Sequence, residues 1–486
     1  MKKFSIKIVA LVLALGAVSF TGCKKFLDIN DNPNAPSDAS VALLLPSAQA
    51  AIGHVVGSPF QIYGGIWSQY WTQSPSASQY KTIDQYSINA SSFDRPWRML
   101  YTNALQDLQV IINKAKTAPQ YQQSAAISYI LKGYTFQLLA DAFGDVPVKE
   151  ANNVDITNPH YDAQQVVYDS VFYFINTGLA MIDVNTEAVP GSEDLVFAGN
   201  MTKWKQFAYT LKLRAALRLS QVLPAAAEDT VKALQAAGAT FLTEDGAIQY
   251  STTGGNQNPL FAEILGLGRT QNLVASSSAV DQMNANQDPR VDVFYEKVKD
   301  LDKVVGITQG AFDTIVETIP FSIPTAVVGA KGLDDQSALA PVKLISGEES
   351  YFLQSEAAAR GWWAGANAQQ LFVNGINASF AAYDLGPEAA AYIANAPAAK
   401  WPATGLDAQV KAIITQKYFA MCGNQGFEAW SEWRRTGYPT FLVVSLATAL
   451  GPDQMPARLL YPNTEVTQNA NFPGLKVVTE KVWWDK

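Results

Sequence analysis

Apolar residues recur every three or four positions along most of this chain, which is the spacing of one face of an α-helix. Two segments, 97–112 and 125–143, show this pattern in full. In the first segment, the apolar stripe consists of Trp97, Leu100, Tyr101, Leu105, Leu108, Ile111 and Ile112. Gly144 and Pro147 end the second, because glycine tolerates positive φ and proline cannot continue a helix. The same spacing predicts further helices over 162–182, 201–222, 348–364, 368–384, 405–421 and 425–435.

The stretch from 246 to 345 does not keep the helical spacing. It opens with a turn cluster at 254–259, which contains Gly254, Gly255 and Pro259. Three short β-branched runs then alternate with glycine and proline: Val304-Val305, Thr314-Ile315-Val316 and Val327-Val328. Short β-branched runs between such residues are typical of strands and loops. We therefore expect an irregular insert of loops and short strands within a helical body.

Two predicted helix pairs, 129–145 and 351–380, resemble each other. Both place small residues where the two helices would cross: Gly133 in the first pair, and Ala357, Ala358, Gly361 and Gly365 in the second. This arrangement resembles a tetratricopeptide unit, although no strict period repeats along the chain. A helix pair of this kind buries one face only when a neighbour covers it, so the pairs stack. The predicted fold is mainly α: a tetratricopeptide-like helical-repeat superhelix with an irregular loop and short-strand insert.

The first 22 residues have the layout of a secretory signal peptide. Lys2, Lys3 and Lys7 give a basic start, and an apolar run covers 8–20. Cys23 follows directly, as in the lipobox of bacterial lipoproteins, where this thiol is alkylated with diacylglycerol. Ordinary secretion with an incidental cysteine is the alternative. We expect a flexible, lipid-anchored tether over 23–40, because it is polar and contains two prolines. One domain would then occupy 41–486, with the insert at about 246–345.

Charge and cysteine content narrow the possible functions further. Removal of the signal peptide takes away three lysines and no acid, so the formal charge goes from −8 to −11. An acidic body argues against a nucleic-acid partner. If Cys23 carries lipid, then Cys422 has no partner and the chain has no disulfide framework. Cys422 lies among apolar and small residues, which indicates a buried, inert thiol.

The residues do not form a recognisable catalytic constellation. The two histidines, His54 and His160, occur in unrelated contexts; we expect the first to be partly buried and the second solvated. Glu428 and Glu432 share a helix face, but Arg434 and Arg435 follow at once, which favours ion pairing within the scaffold. Phosphate loops, nucleophile elbows and metal-spaced Cys/His clusters are missing from the sequence. We therefore expect no catalytic residue, no metal site and no cofactor.

A binding site requires less: flat aromatic rings and a few amides around a concave surface. Aromatic rings stack on the apolar face of a sugar, and amides bind its hydroxyls. The segment 67–80 has the best composition for this, and its candidate ligand-binding residues are Trp67, Tyr70, Trp71, Gln73 and Tyr80. The alternative is that these rings belong to the core of the first helical layer.

Three further residues are weaker candidates for ligand binding. Trp97 begins a helix stripe, so packing is its alternative role. Asn256 and Asn258 belong to the turn cluster, where turn chemistry alone would account for them. We assign Trp362-Trp363 and Trp430/Trp433 to helix packing.

Four segments resemble the SusD/RagB family of nutrient-binding outer-membrane lipoproteins. They are 23–34 (CKKFLDINDNPN), 143–151 (FGDVPVKEA), 416–439, which contains NQGFEAWSEWRRTGYP, and 455–469, which begins MPARLLYP. The third is the most specific. In the fourth, Ala457 stands where many relatives have a basic residue.

The resemblance implies a non-catalytic, lipid-anchored protein on the surface of the outer membrane in Bacteroidetes. Its partner would be a SusC-like TonB-dependent transporter, to which it delivers an oligosaccharide or peptide. The alternatives are a secreted carbohydrate-active enzyme on a helical scaffold and a helical-repeat adaptor that binds only protein.

Overall fold

The computed structural model describes residues 39–314 and 319–485. The predicted signal peptide, the lipidation site at Cys23 and most of the predicted tether lie outside the described residues, as do Ile315 and Val316 of one predicted strand. The remaining residues form one mainly helical body, which confirms the predicted fold class.

The α-helices are numbered in chain order. They are α1 (Val41–Gly57), α2 (Pro59–Trp67), α3 (Lys81–Asp84), α4 (Asp94–Arg98), α5 (Gln106–Ala115), α6 (Gln122–Phe143), α7 (Gln164–Met181), α8 (Met201–Arg218), α9 (Pro224–Ala236), α10 (Pro259–Gly266), α11 (Ser277–Ala285), α12 (Val291–Phe294), α13 (Gly347–Ala359), α14 (Ala368–Ala381), α15 (Gly386–Asn395), α16 (Leu406–Ala420), α17 (Gly426–Thr436) and α18 (Asn463–Gln468). A π-helical segment, Met99–Leu105, joins α4 to α5. The helices predicted from apolar spacing are all present, with ends shifted by a few residues.

In the described ranges, two small antiparallel sheets accompany the helices. Strand β1 (Trp71–Gln73) pairs with β3 (Leu273–Ala275), and β2 (Gly246–Ile248) pairs with β4 (Val342–Ile345). The insert therefore contains short strands, but not where the β-branched runs suggested. Val304-Val305 lie in an irregular segment, and Val327-Val328 belong to a 3₁₀ turn. The insert also contains helices α10 and α11, which its turn-rich composition did not predict.

One of the two predicted helix pairs is confirmed as a hairpin: within 351–380, α13 packs on α14. The other prediction is wrong, because 129–145 lies almost entirely within the single helix α6, which packs on α7 instead. Small residues allow the close approach. A Cβ atom on Gly133 would lie 2.8 Å from Ile175 Cγ1, and one on Gly375 would lie 2.8 Å from the ring of Phe352. Because real Cβ atoms do not approach so closely, only glycine fits at these crossings.

Helices α1 and α2 lie in the core, although residues 41–67 are long and apolar enough to pass as a membrane span. Most of that stretch is buried inside the fold, as is usual for a core helix. Gly64 brings α2 against the start of α17, where a Cβ atom would lie 2.2 Å from the backbone nitrogen of Phe427. This contact fixes α2, and with it the groove described below.

A network of buried charges connects α6, α8, α13, α16 and α17. Arg218 contacts Asp141, Glu428 and Glu432, and Arg435 contacts Glu432 and Glu356. The prediction that Glu428 and Glu432 form ion pairs with basic residues inside the scaffold is confirmed. Arg434 acts differently: it stacks on Trp430 and donates to the backbone carbonyls of Asp141 and Ala457.

Cys422 is buried, as predicted. Its Sγ lies 3.2 Å from the hydroxyl of Tyr295, and burial raises the pKa of the thiol to about 12. Such a thiol stays protonated at neutral pH and is a poor nucleophile.

Candidate functional site

A groove lies beside α1, formed by two adjoining cavities of about 260 and 480 Å³. The cavities share His54 and Met99, so they adjoin each other at these two side chains. We call it the α1 groove; it runs from Tyr80 and Arg95 at one end to Asn256 at the other. Its size is that of a site for a small ligand or a few sugar rings.

Helical spacing produces both walls of the α1 groove. Ser47, Ala51 and His54 lie three or four residues apart on α1 and therefore share one face. Opposite them, Arg95, Met99 and Asn103 follow one another at intervals of four along α4 and the π-helical segment. Single-turn widenings of this kind occur often at functional sites, because they redirect side chains along a helix.

Tyr80 gives the groove a polar group without a partner. Its side chain is only 4% exposed, and its hydroxyl makes no hydrogen bond with any residue that the structure describes. Gln73 holds the segment in place, because its Oε1 accepts a hydrogen bond from the Tyr80 backbone N–H at 2.7 Å. Burial, with a smaller effect of the Glu263 carboxylate, raises the pKa of Tyr80 above its ordinary value. The hydroxyl is therefore a neutral donor, and leaving it unpaired costs about 1–3 kcal/mol.

Charged groups of both signs border the same end of the groove. Arg95 and Glu263 line the cavity, and neither forms an ion pair with another residue in the described part of the chain. Burial, followed by the nearby Arg95 guanidinium, lowers the pKa of His54. His54 is thus neutral at pH 7 and offers one ring nitrogen as donor and one as acceptor.

The other end of the groove contains amides on a short turn. Asn256 Nδ2 donates to Ser251 Oγ at 3.3 Å, and Gln257 Nε2 donates to the carbonyl of Thr252 at 3.2 Å. Each amide keeps its carbonyl oxygen for other partners. Tyr250 and Asn103 complete this end.

Of the eight residues predicted to bind ligand, Tyr80 and Asn256 line the groove. Three of the others are core aromatics, which corrects the expectation that they offer a ring face. Trp67 is fully buried against Trp430 and donates to the carbonyl of Ile83. Tyr70 is buried and donates to the carbonyl of Tyr418, and Trp71 is buried against Gly65.

The remaining three residues also have structural roles. Trp97 is buried and packs edge-on against Phe143. Gln73 is buried and positions Tyr80 rather than facing the groove. Asn258 caps α10, since its Oδ1 accepts from the backbone N–H groups of Leu260 and Phe261 while its Nδ2 donates to Ala340. Asn258 is buried and held in this way, so its role is structural.

Sequence reasoning missed His54, Arg95, Met99, Asn103 and Glu263. Arg95, Met99 and Asn103 are spaced four residues apart in the sequence, but the apolar stripe through Trp97 indicates the buried face of this segment and not the face that lines the groove. Glu263 reaches the site only through the position of α10. Within the described residues, no group of three His, Cys, Asp or Glu side chains is placed to hold a metal ion.

One family sequence model, SusD-like and described as "Starch-binding associating with outer membrane", matches residues 33–462. This chain belongs to the SusD-like family. Solved structures with the SusD-like fold match nearly the whole of this chain. One, named as a chitin-binding protein, is 26% identical, with a TM-score of 0.78, and the match covers 92% of this chain and 100% of that one.

A second solved structure, a chitin-binding SusD homolog from Flavobacterium johnsoniae, is 25% identical with a TM-score of 0.76, covering 91% of this chain and 98% of that one. A SusD homolog from Bacteroides uniformis is 24% identical with a TM-score of 0.76, and the match covers 92% of this chain and 100% of that one. At this identity it supports the fold alone. Comparison with curated proteins gives no match.

Proposed function

We propose that this SusD-like protein is a non-catalytic, cell-surface glycan-binding lipoprotein and that the α1 groove is its ligand site. The observation that carries the proposal is that Tyr80 lines the groove and has a buried hydroxyl without a partner in the described chain. Unpaired buried hydroxyls are costly, so a ligand that supplies the missing hydrogen bond gains affinity there. Protein-family membership and the two chitin-binding neighbours support a glycan as that ligand.

Chitin-type oligosaccharides suit the groove chemically. N-acetylglucosamine units present hydroxyls and an amide, which the free carbonyl oxygens of Asn256 and Gln257 and the hydroxyl of Tyr80 can bind. The acetyl methyl group would contact apolar side chains such as Ile62 and Met99. Arg95 and Glu263 would each bind sugar hydroxyls by charge-assisted hydrogen bonds.

The test is a calorimetric titration with chitohexaose, with maltohexaose as the comparison sugar. Ala50 is exposed and lines the Asn256 end of the groove, so Ala50→Phe should block a hexasaccharide that spans both cavities without disturbing the core. We expect at least a tenfold loss of chitohexaose affinity, about 1.4 kcal/mol or more. Ala42→Phe, at an exposed position of the same helix outside the groove, is the matched control and should bind as the wild type does. Equal affinities in the two variants would show that the α1 groove is not the site.

Delivery to a TonB-dependent transporter is the second part of the proposal. A C-terminally tagged chain, purified from native outer membranes in mild detergent, should bring down such a barrel in near-equal amount by mass spectrometry. Recovery of this protein without a barrel would contradict delivery while leaving glycan binding open to the titration.

A further inference from the structure

A second cavity, of about 510 Å³, lies among α8, α13, α14 and the loops that follow α9 and α13. It shares no lining residue with the α1 groove. We call it the Trp363 cavity. Its lining is formed by Gln206, Thr240, Thr243, Tyr351, Gln354 and Trp363, together with Ala239, Phe241, Ala366 and Leu371.

Trp363 is the central aromatic residue of this cavity. The sequence assigned Trp362 and Trp363 jointly to helix packing, and the structure separates them. Trp362 is buried in the core around α8 and α9, whereas Trp363 is only partly buried. One edge of Trp363 is fixed against the ring of Phe241, at a centroid distance of 5.2 Å and an interplanar angle of 62°. Such a fixed, partly exposed ring is a surface on which the apolar face of another ring can stack at low entropic cost.

The polar groups around Trp363 are free to bind a ligand. The indole N–H of Trp363, the hydroxyl of Tyr351 and the side-chain amide of Gln206 make no hydrogen bond with any residue in the described ranges. Gln354 donates to Ser350 through Nε2, which leaves its Oε1 unpaired. The cavity thus presents both donors and acceptors.

The uncharged lining of the cavity favours a neutral ligand. Among the described residues, its lining contains no Asp, Glu, Lys, Arg or His, in a protein whose formal net charge is −8. An ionic ligand would meet no opposite charge there to offset the hydration that it loses. A neutral ligand with an apolar face and several hydroxyls matches an aromatic ring surrounded by amides and hydroxyls.

We infer that the Trp363 cavity is a second, independent binding site for a neutral saccharide. Two sites on one chain would let a long polymer engage the protein at two points, and the second contact is then intramolecular and strengthens overall retention. This inference extends the proposed function, but it does not require that the α1 groove binds the same sugar.

The test follows the indole N–H signal of Trp363 by ¹⁵N NMR while chitotriose, and separately cellotriose, is added to the full chain. Trp363→Phe identifies the signal by its disappearance. We expect a saturable shift of the Trp363 signal with at least one of the two sugars, and the same saturation curve in Ala50→Phe, where the groove is occluded. Gln354→Ala should weaken the apparent affinity read at Trp363 at least fivefold. Gln370→Ala, an exposed position on α14 outside the cavity, is the matched control.

A Trp363 signal that neither sugar moves at tens of millimolar would overturn the inference, even if the groove binds chitohexaose. So would a shift that disappears in Ala50→Phe, because the signal would then be reporting occupation of the groove. A saturable shift without any groove binding would overturn the proposed site in the groove and leave this second site standing.

Discussion

The hydrogen bonding of its hydroxyl distinguishes Tyr80, a candidate ligand-binding residue, from a tyrosine with a structural role. Its hydroxyl is buried and has no hydrogen-bond partner in the described part of the chain, so it contributes nothing favourable to the unliganded fold. By contrast, the hydroxyl of Tyr70 donates to the carbonyl of Tyr418 at 2.6 Å and belongs to the core. Two tyrosines ten residues apart in the sequence therefore have opposite consequences when the hydroxyl is removed.

We predict that Tyr80→Phe leaves the free energy of unfolding unchanged or raises it by up to about 1–3 kcal/mol, because it removes an unsatisfied polar group. The same change should weaken chitohexaose binding about 2–10-fold, the loss of one hydrogen bond of about 0.5–1.5 kcal/mol. Urea unfolding and calorimetric titration measure the two effects.

Tyr70→Phe is the matched control and should lose stability, because it leaves the carbonyl of Tyr418 without its donor. A destabilised Tyr80→Phe with normal affinity would show that the Tyr80 hydroxyl has a structural partner and faces no ligand.

At the scale of elements, the α6–α7 hairpin depends on a close helix crossing. A Cβ atom on Gly178 would lie 2.6 Å from Ile130 Cγ1 and 2.8 Å from the carbonyl oxygen of Ala126. The carbonyl belongs to the backbone of α6, so the contact cannot be relieved by a side-chain rotation. One helix would have to move away from the other.

We predict that Gly178→Ala lowers the free energy of unfolding by up to about 2 kcal/mol, since overpacking costs about 1–3 kcal/mol and the gain in helix propensity offsets about 1 kcal/mol of it. Gly266→Ala, at the end of α10 with nothing within 4 Å of the added Cβ, is the matched control and should be neutral or slightly stabilising. Urea denaturation gives both values. A stabilised Gly178→Ala would mean that the crossing is looser than the structure shows.

The buried charges make the contact between α8 and α17 sensitive to acid. Burial alone would raise the pKa of Glu432, but Arg435, Lys417 and Arg218 surround it and bring its pKa well below the ordinary value. A lowered folded-state pKa means that this carboxylate stabilises the fold fully above its unfolded pKa of about 4.3. Its contribution falls as the pH drops below that value, because the unfolded chain then binds the proton first.

We predict that Glu432→Gln lowers the free energy of unfolding at pH 6 by about 3–5 kcal/mol, the usual cost of breaking a buried ion pair. Between about pH 4.3 and pH 3, the difference from the wild type should shrink by about 1.4 kcal/mol per pH unit. Urea unfolding across this range measures the slope. Glu388→Gln, at an exposed site, is the matched control and should lower the free energy of unfolding at pH 6 far less than Glu432→Gln does. A difference that stays constant down to pH 3 would contradict the lowered pKa.

At the scale of the whole molecule, the sequence predicted the helical body well, because each amphipathic helix carries its own pattern of apolar residues. It predicted the site poorly, for a physical reason. Trp67, Trp71 and Tyr80 all look alike as candidates in sequence, but burial depends on α17 and on the pairing of β1 with β3, which lie 200 or more residues away. The groove residues Arg95 and Glu263 come to line the same cavity only through tertiary packing. The spacing of apolar and polar residues within one segment does not indicate contacts with elements that are distant in the sequence.

The predicted lipid anchor has consequences for where the whole protein resides. Each acyl methylene buried in a bilayer contributes about 0.8 kcal/mol, so more than one chain gives durable attachment. After removal of residues 1–22 the body carries a formal charge of −11, because three lysines leave with them, and it gains no electrostatic hold on anionic lipid. Attachment would then depend on the chains at Cys23 alone.

We predict that Cys23→Ala moves the protein from the membrane pellet to the soluble fraction after a high-salt wash, whereas Lys24→Ala, which keeps the cysteine, stays in the pellet. Labelling with an alkyne-tagged fatty acid provides a second measurement that is independent of retention by an uncleaved signal peptide: the wild type and Lys24→Ala should be labelled, and Cys23→Ala should not. Equal labelling of all three chains would contradict lipidation at Cys23. An unlabelled wild type that still sediments with the membrane would point instead to attachment through a protein partner, for which the transporter proposed above is the candidate to test.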